Sequence, residues 1–135
     1  MATSLTVNRR LSAPPERVYR AWTDPATYKL WFKPTRLIFR AGVDELFHWD
    51  AQFEGRGWPH YGRWLKLERP RLLEMTWVSE ATQGMESIVR VELKPQGAGT
   101  DLTLTHSNLP DEKSRKDHEQ GWTSIVASLD ELNAG

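Results

Sequence analysis

His48 and Asp50 stand two residues apart in strand-like sequence, so both side chains project from one face, with Glu54 and His60 just beyond. Histidine beside carboxylates is a workable general acid/base pair or an N/O metal-ligand set. The spacing matches no established metal motif, and the same residues would serve equally well as a solvated strand face, so no catalytic residue and no metal is assigned. His106 and His118 stand differently. His106 is in phase with Leu102 and Leu104, and His118 lies one turn before Trp122 on an apolar stripe, so either imidazole can face the interior. At the mouth of an apolar cavity an imidazole fixes a ligand's polar end or transfers a proton; hydrogen-bonded inside a core it is structural. Arg63 and Glu74, on adjacent strands, either pair inside or lie in water, and register decides which.

Other chemistries fall away. Cysteine is absent, which removes disulfides, thiolate metal sites and thiol nucleophiles. No Gly-x-Ser-x-Gly elbow occurs, and the glycines of Glu54-Gly-Arg-Gly-Trp58 precede no helix of the kind a phosphate loop needs. No cofactor is expected. The 18 basic and 18 acidic residues cancel and are interspersed, and Lys113-Ser-Arg-Lys116 reads as a solvated helix face, so nucleic acid is not an expected partner. Apolar runs such as Arg36-Leu-Ile-Phe-Arg40 are too short to span a bilayer, and Met1-Ala-Thr-Ser-Leu5 lacks the basic start and apolar core of a signal peptide. A cytoplasmic location is the expectation.

The elements that must position these groups follow from periodicity. With 135 residues, one domain over 1–135 is expected, and seven tryptophans in so short a chain must fill a core or line a pocket. Leu5–Leu11 alternates as an opening strand. Prolines at 14 and 15 and the Asp24-Pro25 pair each start a short helix, the second carrying Tyr28, Trp31 and Phe32 and ending at Lys33-Pro34. Strands are then expected over Arg36–Ala41, Asp44–Phe53, His60–Glu68, Leu72–Ser79, Ser87–Lys94 and Thr100–His106, separated by hairpin-type turns. After Leu109-Pro110 the period becomes helical from about Asp111 to Leu132, with His118, Trp122, Ile125, Val126, Leu129 and Leu132 on one stripe. Gly121 beside Trp122 is expected to let this helix approach the sheet closely.

The segments Pro15-Glu-Arg-Val-Tyr-Arg-Ala-Trp-Thr-Asp-Pro25, Trp31, Gly62, Pro70-Arg-Leu-Leu-Glu-Met-Thr-Trp77, Gly99-Thr-Asp-Leu-Thr-Leu-Thr-His106 and His118-Glu-Gln-Gly-Trp122 stand in a telling order. Together they resemble bacterial single-domain members of the family named for the activator of the ninety-kilodalton heat-shock chaperone ATPase. That family lies within the START-like, polyketide-cyclase and birch-pollen-allergen (SRPBCC) superfamily. The resemblance covers essentially the whole chain, except that Gly42 is followed by Val43 where the family often has a second glycine. It implies an α+β helix-grip fold: a curved antiparallel sheet of six to seven strands, two short helices after the first strand, and a long C-terminal helix packed across the sheet.

In such a fold the expected function is to bind a small hydrophobic or amphipathic molecule between sheet and C-terminal helix. Trp122, Ile125, Val126 and Leu129 would form the roof and Met75 and Trp77 the floor. Phe47, Trp49 and Tyr61 would contribute according to register, and His106 or His118 would supply polarity. The family name also invites a protein-interaction role on the chaperone, although eukaryotic activators carry an additional N-terminal domain and this chain opens on its first strand. A cyclase- or hydratase-like enzyme is the third class, and it would place His106 or His118 within hydrogen-bond reach of a second ionisable group. Either a monomer or a homodimer is compatible with these features.

Overall fold

The computed structural model describes residues 3–53 and 55–134, so the reading that concerned Glu54 lies outside the described residues, as does the side chain of Leu132 in the helical stripe. The strands are β1 Thr3–Leu11, β2 Arg36–Phe39, β3 Leu46–Phe53, β4 Arg56–Glu68, β5 Leu72–Ser79, β6 Ser87–Gln96 and β7 Gly99–Leu109. They form one antiparallel sheet in the order β1-β7-β6-β5-β4-β3-β2. Helices α1 Pro15–Thr23 and α2 Pro25–Phe32 follow β1, a 3-10 turn covers Glu80–Thr82, and α3 Glu112–Ala134 closes the chain. This is the helix-grip arrangement that the periodicity and the resemblance implied.

Element boundaries moved where turn chemistry misled. β2 and β3 are shorter than expected because residues 40–45 form a turn, with Asp44 at φ 69° and its N–H donating to the Trp64 carbonyl at 2.8 Å. β4 starts earlier, at Arg56, since Gly57 and Pro59 are accommodated opposite Gln52 and Asp50. The 3-10 turn was not anticipated; Ser79 caps it, accepting from Ala81 N–H at 3.2 Å, while the Thr82 hydroxyl oxygen accepts from the Ser79 N–H at 3.1 Å.

Proline at the first turn of α1 and of α2 sets both helix starts. Both helices then insert aromatics into the concave side of the sheet. Val18, Trp22, Trp31 and Phe32 are buried, and the Trp31 indole N–H donates to the Ala21 carbonyl at 2.9 Å, stapling α2 to α1. Asp111 caps α3 by accepting from Ser114 N–H at 2.9 Å. The helix buries Trp122, Val126 and Leu129, and the Arg9 guanidinium of β1 reaches Asp130 at 3.0 Å.

The close backbone approaches are not where Gly121 suggested. A Cβ at Gly121 would meet nothing within 4 Å, so that glycine does not bring the helix onto the sheet. The tight positions are Gly62, where a Cβ would collide with the Phe47 ring and the Thr76 carbonyl, and Gly99, where it would strike the Leu11 carbonyl. Gly62 sits directly opposite Phe47 in the β3–β4 ladder, so the phenyl ring occupies the space a side chain would need.

Candidate functional site

The concave side is largely filled. Phe32 of α2 reaches Trp49 of β3 at 4.9 Å, Trp77 of β5 at 6.3 Å and Trp122 of α3 at 6.0 Å between ring centroids. Trp77 and Trp122 lie 5.0 Å apart, and Trp22 and Trp31 back the cluster 4.8 Å from one another. Beyond this plug, a recess of about 180 Å³ remains between α3 and the β3–β5 part of the sheet, lined by Trp49, His60, Trp77, Ala81, Asp117, His118, Gly121, Trp122 and Ile125.

Of the residues expected to meet a ligand, Trp49, Trp77, His118, Trp122 and Ile125 come together at this recess. Phe47, Met75, Val126 and Leu129 are buried in the core and are not among its lining residues. Tyr61 lies on the other face of the sheet, 51% exposed and stacked on His48 at 4.8 Å. The polar cluster read around His48 is split by strand alternation. His48 and Asp50 share the outer face, with Nε2 and Oδ1 3.2 Å apart. His60 pairs with Trp49 across the ladder and stacks on its indole at 4.0 Å and 5°, facing the recess. Arg63 and Glu74 do not pair with each other: Glu74 is bound by Arg90 at 2.9 Å, and Arg63 approaches Asp44 at 3.9 Å.

Three histidines gather at this end of the fold, in two bonding patterns. His106 is fully buried, accepting at Nδ1 from the Trp122 indole N–H at 2.9 Å, with Nε2 2.7 Å from Ser87 Oγ. Because the Ser87 hydroxyl lies 2.5 Å from the Trp77 carbonyl and donates to it, the proton between ring and serine belongs to His106 Nε2. The ring is thus a neutral, fully satisfied relay joining β5, β6, β7 and α3. Burial, together with His118 nearby, lowers its pKa to about 3. The sequence allowed either role for His106; these bonds make it structural.

His60 and His118 share another pattern. His60 Nδ1–H donates to the Trp58 carbonyl at 2.9 Å, and His118 Nδ1–H donates to the Ser114 carbonyl at 2.7 Å. Ser114 in turn donates from Oγ to the Ala81 carbonyl at 2.7 Å, tying α3 to the 3-10 turn at the rim. Each ring therefore keeps Nε2 as a lone-pair acceptor, and the hydrogen bonds of both rings to described residues run through Nδ1. Burial lowers the His60 pKa to about 4 against the opposing pull of the Trp58 carbonyl, with His118 adding to the depression, and burial lowers His118 as well. The indole N–H groups of Trp49 and Trp77 are buried away from any accessible surface, without a partner among the described residues. His60, His118 and Asp117 do not form a metal-binding group, and no cluster of three or more such ligands occurs among the described residues.

Sequence reasoning left His60 out of the ligand set because it was grouped with His48. The usable signal was the hairpin register that sets His60 opposite Trp49.

The family model described as Activator of Hsp90 ATPase homolog 1-like protein matches residues 12–134. Among solved structures, a protein of Chromobacterium violaceum is 27% identical at a TM-score of 0.82, covering 96% of this chain and 95% of that one. CalU16 from Micromonospora echinospora is 28% identical at a TM-score of 0.76, over 95% of this chain and 74% of that one. An HSP90 activator from Plasmodium falciparum shares the fold at a TM-score of 0.80 and 20% identity, over 96% of this chain and 94% of that one. Among curated proteins, no sequence match to the chain was found.

Proposed function

The chain belongs to the family of Activator of Hsp90 ATPase homolog 1-like proteins, and on that premise we propose that it binds a small, largely apolar molecule in the recess between sheet and α3. The observation that carries this reading is the recess itself: about 180 Å³, walled by Trp49, Trp77, Trp122 and Ile125, beside a core packed with aromatic and aliphatic side chains. An apolar concavity with a few convergent polar groups is the usual form of a small-molecule site. Its size supports a compact ligand over a sterol or a long acyl chain, since an apolar cavity of about 150 Å³ accommodates one benzene ring. The histidine bonds favour binding over proton-transfer chemistry. Those of His60, His106 and His118 go to carbonyls, Ser87 and Trp122, and none reaches a second ionisable side chain among the described residues.

The test is a titration of intrinsic tryptophan emission with small aromatic and aliphatic probes, backed by native mass spectrometry of protein from its own source. Saturable quenching by a compact probe is expected; an emission spectrum indifferent to every probe counts against the reading.

A second reading, engagement of a protein partner such as the chaperone named in the family description, draws on a different surface. Ile38, Leu46 and Tyr61 are exposed on the outer face of β2–β4, around a shallow groove of about 430 Å³ that also includes Val78. Capture of the cognate chaperone and stimulation of its ATPase would support this role, and replacing Leu46 and Tyr61 with serine should then abolish both. Lack of stimulation argues against it.

A further inference from the structure

The recess has a hydrogen-bonding character as well as a size. Its two imidazoles both present Nε2 as an acceptor, because each Nδ1–H is already committed to a backbone carbonyl. No cation is among its described lining residues; the charged side chain among them is Asp117, whose carboxylate is held by Lys113 at 2.9 Å on the solvent side of α3. A ligand carboxylate would therefore face two acceptor nitrogens, with no cation among the described lining residues to neutralise it. The tryptophans do not form a cage for an ammonium either. Trp77 stands 5.5 Å from Trp49 and 5.0 Å from Trp122, so the rings pack on one another and leave no space between them for a cation. A hydroxyl fits, since it donates its proton to a lone pair and carries no charge to neutralise.

We propose that the recess selects a single-ring aromatic molecule carrying a neutral hydroxyl group, its ring against Trp49, Trp77 and Trp122 and its O–H donating to Nε2 of His60 or His118. The proposal rests on the reading of the recess as the ligand site and adds the chemical class of the ligand. Volume sets the single ring, the acceptor pair sets the hydroxyl, and the absence of a cation among the lining residues excludes the acid.

Phenol, toluene, benzoate and decanoate are titrated separately into the full chain at neutral pH. Binding is followed through the indole N–H signals of Trp49, Trp77 and Trp122 in proton–nitrogen correlation spectra. Phenol should bind about three- to tenfold more tightly than toluene, the worth of one net hydrogen bond, and benzoate more weakly than either. The preference for phenol over toluene should fall toward unity in His60→Phe or in His118→Leu. Because the two ligands are compared within each variant, a general loss of stability does not mimic the result. Equal affinity for phenol and toluene, tighter binding of benzoate, or a preference surviving both replacements would overturn the hydroxyl assignment while leaving an apolar site in place. Binding of decanoate alone overturns the single-ring assignment. Failure of all four probes overturns the reading of the recess as a ligand site as well.

Discussion

Trp122 donates to one nitrogen of His106 while the other donates to Ser87, so the buried ring has no room for a second proton. Its folded pKa of about 3 lies below the 6.5 of an ordinary solvent-exposed histidine, and His60 follows at about 4. The unfolded chain therefore takes up these protons first as the pH falls. The stabilising contribution is complete above about pH 6.5 and is lost as the pH drops toward 3–4, at up to about 1.4 kcal/mol per pH unit for each group. Urea unfolding between pH 7 and pH 4 should show falling stability, and His106→Gln, which keeps a neutral hydrogen-bonding side chain, should flatten the slope. An unchanged slope would mean that His106 titrates normally. Glycines give a second residue-scale prediction. Gly62→Ala should cost about 1–3 kcal/mol because the Thr76 carbonyl cannot yield to a methyl group. Gly121→Ala, with open space at its Cβ inside a helix, should instead stabilise by up to about 1 kcal/mol, measured by the same unfolding. Sequence had attached the close approach to the wrong glycine: Gly121 stood beside a large aromatic, whereas the need at Gly62 depends on a cross-strand neighbour, Phe47, that no local pattern reveals.

At the scale of elements, α2 decides how much cavity the fold keeps. Its Phe32 stands among Trp49, Trp77 and Trp122, in the space that a helix-grip fold can leave open, and Tyr28 stacks behind it at 4.4 Å. Phe32→Ala should therefore destabilise the fold by about 3–5 kcal/mol and at the same time enlarge the recess. The expected signature is a lower unfolding midpoint accompanied by gained affinity for a two-ring fluorescent probe that the parent chain excludes. Loss of stability with no gain in binding would place Phe32 apart from the recess. The helix itself was legible from Asp24-Pro25 and the spacing of Tyr28, Trp31 and Phe32. Its depth of insertion was not, because periodicity tells which face is buried and says nothing of how far a ring reaches toward the opposite wall. The same limit separates Met75, Val126 and Leu129, which are buried in the core, from the residues that line the recess.

At the scale of the whole molecule, the order of elements was readable because each hairpin carries its own turn chemistry and the final change of period marks α3 unmistakably. Register was the missing quantity. It sends Tyr61 to the outer face with His48, and brings His60 to the inner face against Trp49, so one unknown decided which of the two lines the recess. The resulting account is of a sheet and helix closed over an aromatic plug, with a small recess at the His60–His118 end. The indole N–H resonances test that account most directly, because tryptophans occur on both sides of the plug. Addition of phenol to the full chain should shift the signals of Trp49, Trp77 and Trp122 together and leave those of Trp22, Trp31 and Trp64 in place. Shifts centred on Trp22, Trp31 or Trp64, or no shift in any indole, would contradict it.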